Sequence, residues 1–161
     1  MNYSYKGKIL ISTPDISGDI FSRSVVIIVD HNHEGAFGLI LNKKNKNMSE
    51  RLHAIFGFAV DVYEGGPVEN DKIFFISKGK KVTENFSEIS EEFYLTEDIE
   101  SVVTGMIEEQ ISVDEIKVFS GYSGWASKQL ESEVQRKMWT VVEVYNLDYT
   151  LPNDESLWKS I

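Results

Sequence analysis

The sequence predicts an α+β domain built on a largely antiparallel, bent sheet, and three observations carry that reading. Short apolar and β-branched runs recur along the chain with glycine-bearing turns between them. The clearest helical periodicity falls in one segment near residue 100. Two nearly continuous apolar runs, Val25 to Asp30 and Ala36 to Asn42, flank the polar loop His31-Asn32-His33-Glu34-Gly35, which suits a central hairpin covered on both faces. About three helices are expected to pack on this sheet. With 161 residues and 42% hydrophobic content, one domain spanning 1–161 can bury its core without metal or disulfide.

Taken in order, Lys8 to Ser12 reads as a short buried strand, followed by turn residues at Pro14-Asp15 and Ser17-Gly18-Asp19. The hairpin comes next. Asn47-Met48-Ser49 offers capping groups to a short helix that runs through Phe56 and ends at Gly57. Val60 to Tyr63 alternates as a strand does and breaks at Gly65-Gly66-Pro67. Lys72 to Ser77 is a further strand, with a turn at Lys78-Gly79-Lys80. Between Val82 and Glu92 the pattern weakens to a loop or irregular strand, and Phe93 to Leu95 is extended again. Thr96, Glu97 and Asp98 combine a capping hydroxyl with two acids that favour the positive end of a helix dipole. Ile99, Val102, Val103, Met106 and Ile107 then form one apolar face of a helix over about 97–110. Ile116 to Phe119 is a strand, a helix starts near Ser127, and Thr140 to Tyr145 is the strand after it. The apolar pair Leu157-Trp158 should dock the tail on the body.

Composition excludes several classes of function. Cysteine is absent, which removes disulfides, thiol nucleophiles and cysteine-ligated zinc. No apolar run approaches the length of a membrane span and the first residues lack a signal-peptide pattern, so a cytoplasmic location without membrane contact is expected. The net charge of −10 is uneven: residues 1–81 carry 11 basic and 9 acidic residues, residues 82–161 carry 5 and 17. So acidic a chain starts at a disadvantage on phosphates, and direct nucleic-acid binding is not expected. Lysines cluster at Lys43, Lys44 and Lys46 and at Lys78, Lys80 and Lys81, as solvated loop charges or as a small basic patch.

Residues with chemical potential concentrate in Gly121-Tyr122-Ser123-Gly124-Trp125 and the following Ala126 to Glu133. Read from its letters, this is a strand, a glycine turn and a helix start, and helix starts leave amides able to meet an anion or carbonyl. Ser123 is not in a nucleophile elbow, since Trp125 stands where the second glycine belongs and no histidine follows it in the chain. Asp30, His31, His33 and Glu34 lack the third distant ligand that zinc recruits and read as turn residues. Glu131 and Glu133, two apart on a helix, point away from each other and make no acid pair. No metal or cofactor is expected.

The GYSGW stretch followed by Gln129-Leu130-Glu131 resembles the signature of the YqgE/AlgH family of bacterial proteins. Further matches, in the family's order, are Arg23-Ser24-Val25-Val26, Glu34 to Asn42, and Tyr63-Glu64-Gly65-Gly66-Pro67-Val68. The family's members are commonly labelled transcriptional regulators, without an assigned biochemical activity. The resemblance implies that the two glycine-rich bends approach each other, with Tyr63, Tyr122 and Trp125 walling a groove. Its expected members are Tyr63, Gly65, Gly66, Pro67, Gly121, Tyr122, Ser123, Gly124, Trp125, Gln129 and Glu131, with Glu133 a further polar contributor. The rival account is structural: Trp125 fills the core, and Gln129 or Glu131 satisfies backbone groups. Ala126-Ser127-Lys128 departs from the family pattern, which carries glycine there. The expected function is a non-catalytic binding or regulatory module with an unidentified protein or small-molecule partner. The alternative is a small-molecule enzyme working through Ser123 and Glu131.

Overall fold

A computed structural model describes residues 4–13, 21–79, 83–90, 92–144 and 147–161. The turns expected at Pro14-Asp15 and Ser17-Gly18-Asp19 lie outside these residues, as do Lys80, Lys81, Val82 and Tyr145. The fold is α+β, with nine strands and four α-helices among the described residues. The strands are β1 (Ile9–Ser12), β2 (Val25–Asn32), β3 (Gly35–Ile40), β4 (Val62–Glu64), β5 (Val68–Lys78), β6 (Ser87–Ser90), β7 (Phe93–Thr96), β8 (Ile116–Ala126) and β9 (Trp139–Val142). The helices are α1 (Lys46–Phe56), α2 (Ile99–Ile107), α3 (Gln129–Gln135) and α4 (Ser156–Ser160), with a 3-10 turn at Val113–Glu115. The sheet runs β6-β7-β5-β8-β3-β2-β1-β9, and β4 pairs with β8. Every pairing is antiparallel except β4 with β8.

The sheet bends around an inner core to which β1 through β8 all contribute, including Ile27, Leu39, Tyr63, Phe74, Ile76, Leu95 and Phe119. Its outer side is covered in two places. Helices α1 and α2 lie over Phe75, Val62 and Val118, while α3 lies over Val26, Ile28, Ile40 and Trp139. The hairpin β2–β3 is therefore buried on both faces, which is why its sequence is almost unbroken in hydrophobicity.

The structure moves several predicted boundaries. The hairpin loop shrinks to His33-Glu34, because β2 continues through Asn32, whose side-chain oxygen accepts the Glu34 N–H at 2.8 Å. Helix α1 is capped by Asn45, two residues before the expected capping stretch, and Ser49 instead donates to the Asn45 carbonyl and accepts from Val62 N–H. Helix α2 spans fewer residues than 97–110. Asp98 rather than Thr96 caps it, accepting from Ser101 N–H and Oγ, and these bonds hold its carboxyl below the usual range. At its far end Glu109 turns left-handed and Gln110 N–H returns to the Gly105 carbonyl, so Ile107 is solvent-facing and Ile111 takes the buried place. The last strand covers Trp139–Val142, one residue earlier at its start than expected, and Glu143 and Val144 lie beyond it. The helix beyond the expected three is the short α4, which carries Leu157 and Trp158 onto the inner core; Trp158 Nε1 donates to the Ser12 carbonyl at 2.8 Å.

The largest revision concerns the signature. Gly121 to Ala126 form no turn; they continue β8, and the turn comes at Ser127-Lys128. Gly121 adopts φ 70°, a conformation open to glycine, and changes which face each side chain meets. Before it, Ile116 and Val118 face outward and Phe119 inward; after it, Tyr122 faces inward and Trp125 outward. The same strand thus leaves β4 and picks up β3 without leaving the sheet.

Candidate functional site

The bend at residues 65–67 meets strand β8 at the centre of the sheet. Gly65 N–H donates to the Ser120 carbonyl at 2.8 Å, and the Gly65 carbonyl accepts both Ile40 N–H at 3.0 Å and Ser123 Oγ at 3.0 Å. One peptide group thereby joins β3, β8 and the 65–67 bend. A Cβ on Gly65 would overlap the Gly121 carbonyl, and one on Gly66 the Tyr122 carbonyl; one on Gly121 would stand 2.6 Å from Gly66 O. Only chains without side chains approach this closely, which accounts for three of the glycines.

The aromatic residues expected to wall one groove are divided by the sheet. Tyr63 is buried in the inner core and its hydroxyl accepts Asn153 N–H at 3.2 Å. Burial raises its pKa, opposed by a smaller effect of that bond and helped by the nearby charges of Asp61 and Asp154. Tyr122 is half-buried, stacked on Phe37 with ring centres 4.8 Å apart and edge-on to Phe74. Trp125 lies on the opposite face, edge-on to Trp139 at 6.1 Å. Of the remaining members, Pro67 and Gly124 reach solvent, whereas Ser123 is fully buried.

Gln129 and Glu133 of α3 have internal hydrogen-bond partners. Gln129 Oε1 accepts Ala126 N–H at 2.9 Å and its amide donates to Glu133. Glu133 Oε1 accepts the indole N–H groups of both Trp125 (3.0 Å) and Trp139 (2.9 Å), a role that sequence reasoning missed although two tryptophans near one carboxylate were visible. Glu131 Oε1 faces His31 Nε2 at 3.2 Å, and His31 Nδ1 accepts Tyr5 N–H at 2.8 Å, so the ring proton sits on Nε2. His33 is in the exposed turn, so the two histidines considered for a metal part company. Asn42 is a further contributor: it accepts Val25 N–H and donates to the Arg23 carbonyl, tying two of the matching segments together.

The profile of the AlgH-like family, DUF179, matches residues 9–161. The chain belongs to this family. Its relatives include a UPF0301 protein of Cytophaga hutchinsonii, 34% identical over 97% of this chain and 87% of that protein. A UPF0301 protein of Bacteroides thetaiotaomicron is 31% identical over 96% of this chain and 79% of its own length. Among solved structures, the solution structure of the AlgH protein from Pseudomonas aeruginosa superposes with a TM-score of 0.76 at 25% identity, covering 99% of this chain and 88% of that one. In this AlgH-like chain the Gly65 carbonyl ties β3 and β8 to the 65–67 bend, and Pro67 and Gly124 are exposed while Tyr122 is half-buried. No helix among the described residues is long and apolar enough to cross a membrane.

Proposed function

We propose that this AlgH-like protein is a non-catalytic, cytoplasmic binding or regulatory module, and that any effect on transcription is indirect. The observation that carries this reading is the Ser123 hydroxyl, buried and donating to the Gly65 carbonyl, where it ties β8 to the 65–67 bend instead of presenting a nucleophile. The hydrogen bonds of Gln129 and Glu133 support the same reading. The part of the expected groove that a partner can reach is the rim, where the Tyr122 ring lies over Gly124 beside Val68 and Pro67 is exposed. The net charge of −10 supports an indirect route to transcription.

The test is photocrosslinking in the native host from a benzoyl-phenylalanine placed at position 122. A discrete adduct is expected; it should survive Ser123→Ala and be lost when Gly124→Glu places a charged chain over the ring. No adduct, or a small-molecule turnover that Ser123→Ala abolishes in a folded protein, would overturn the reading in favour of an enzyme. A sequence-specific mobility shift with DNA at physiological salt would overturn the indirect route.

A further inference from the structure

His31 is buried near the end of β2, with its ring held between the N-terminal segment and α3. On one side Nδ1 accepts Tyr5 N–H at 2.8 Å, and the Tyr5 ring stacks on the imidazole with centres 5.3 Å apart and planes 12° from parallel. Ser4 Oγ donates to the His31 carbonyl at 3.1 Å and Gly7 N–H to the Ile28 carbonyl at 2.7 Å, so residues 4–7 are clipped to β2 with Tyr5 against the α3 layer. On the other side Nε2 and Glu131 Oε1 are 3.2 Å apart without the alignment of a hydrogen bond, and neither atom has another partner among the described residues. The other neighbours bring little charge to the ring. Asp30 Oδ1 accepts the His31 backbone N–H at 3.0 Å, and Ala36 lies opposite on β3. Glu133 of α3 is committed to the two indoles, while Lys6 of the clip and Glu88 of β6, a strand that packs on β2, are exposed.

We propose that His31 is a proton-driven switch that docks residues 4–7 on β2 at neutral pH and releases them on acidification. Its two nitrogens make opposite demands. The Tyr5 bond requires Nδ1 to be an unprotonated acceptor, which makes the docked ring neutral with its one proton on Nε2. Protonating Nδ1 sets an N–H against the Tyr5 N–H, so the clip loses its central bond and the two donors repel. The same proton turns the misaligned contact with Glu131 into a pair of opposite charges, and in so buried a place solvent screens that attraction little. The neutral ring therefore satisfies the N-terminal segment, and the imidazolium satisfies α3. By linkage the released state binds one proton more than the docked state, so release is favoured as pH falls. Histidine is the side chain whose charge ordinarily changes close to neutrality, which places such a switch within a range a cell can use. Release uncovers the imidazole face that Tyr5 covers and the patch of the α3 layer on which Tyr5 packs.

The test is nuclear magnetic resonance of the nitrogen-15-labelled full chain between pH 8 and 5.5, following the His31 ring nitrogens and the hydrogen-exchange protection of the Tyr5 and Gly7 amides. At pH 8 the ring should carry its proton on Nε2 alone, with both amides protected. As the ring charges, the opening constant at Tyr5 should rise roughly tenfold per pH unit, one proton being taken up per release. The Ile40 amide, bonded to Gly65 at the sheet centre, should keep its protection throughout. Glu131→Gln removes the carboxylate that stabilises the imidazolium and should move release to lower pH. His31→Asn offers Oδ1 in place of Nδ1 as acceptor for Tyr5 N–H and does not titrate, so it should keep Tyr5 docked across the range. Four results would each overturn the proposal: constant Tyr5 protection while the ring charges, a ring still neutral at pH 5.5, a Glu131→Gln profile identical to wild type, or pH-dependent release in a folded His31→Asn variant.

Discussion

Lys128 holds φ 65°, ψ 0°, where a Cβ crowds the neighbouring carbonyl at a cost of about 1–2 kcal/mol. The lysine that breaks the family's glycine pattern therefore sits where glycine is conformationally suited. Lys128→Gly is expected to raise stability by about 0.5–1 kcal/mol, the relief exceeding the extra freedom glycine gives the unfolded chain. A higher urea midpoint at unchanged m would bear this out, and a lower one would assign the lysine stem a packing role. Lys117, buried in β8 with Nζ donating to the carbonyls of Leu41 and Leu151 and to Asn153 Oδ1, predicts a pH dependence. Burial lowers its folded pKa to about 7, below the ordinary 10.5, so between those values the unfolded chain binds more protons and stability rises with pH. Below about 7 both states are protonated and the contribution is flat. The difference between wild-type and Lys117→Met unfolding free energies, followed from pH 6 to 10, should climb across that window; a flat difference would show that the three acceptors keep the amine charged throughout.

At the scale of elements, Asn45 shows how one cap can serve three. Its oxygen accepts Met48 N–H at 3.0 Å to start α1, while its amide donates to Glu64 Oε2 at 3.2 Å on β4 and Ser120 Oγ at 3.3 Å on β8. Aspartate usually caps a helix as well as asparagine does. Here Asn45→Asp would set a second carboxylate against Glu64 and lose both donors. It is expected to cost about 1–2 kcal/mol, at least as much as Asn45→Ala, reversing the usual ranking. Chemical denaturation of the two variants side by side decides this, and an aspartate variant as stable as wild type would show that the amide bonds contribute little. The β8 strand makes a related point: its glycine at 121 exchanges the inward and outward sets of side chains, so one strand serves the α1–α2 layer at one end and the α3 layer at the other.

Across the molecule, both chain ends close the same edge. Strand β1 pairs with β9 from Ile9↔Val142 to Ser12↔Trp139, and Trp158 on α4 bonds the Ser12 carbonyl beneath them. Trp125 and Trp139 report on the layer under α3, and Trp158 on the inner core. Because β8 belongs to every layer, unfolding should be one cooperative transition. Fluorescence of a Trp158→Phe variant, which reports the α3 layer, should share a midpoint with the far-ultraviolet circular dichroism of the same variant. Separated midpoints would divide the chain into two folding units.

The sequence by itself determined the fold class, the buried hairpin and the docking of Leu157-Trp158, since these rest on local patterning; the approach of Gly65-Gly66 to Gly121 was expected only from the family resemblance. The departure from the family's glycine pattern at Ala126-Ser127-Lys128 was likewise legible, whereas the structure alone showed that Lys128 is the residue held at positive φ. Only the tertiary structure decided that GYSGW is strand, that Trp125 and Tyr122 occupy opposite faces, and that Glu133 serves two indoles. Those outcomes depend on which strands reach β8 on either side of Gly121, a long-range pairing that no short window of residues encodes. The same holds for Lys117: a lysine between isoleucine and valine signals something unusual, but its three acceptors come from residues 41, 151 and 153, brought together only when the chain has folded.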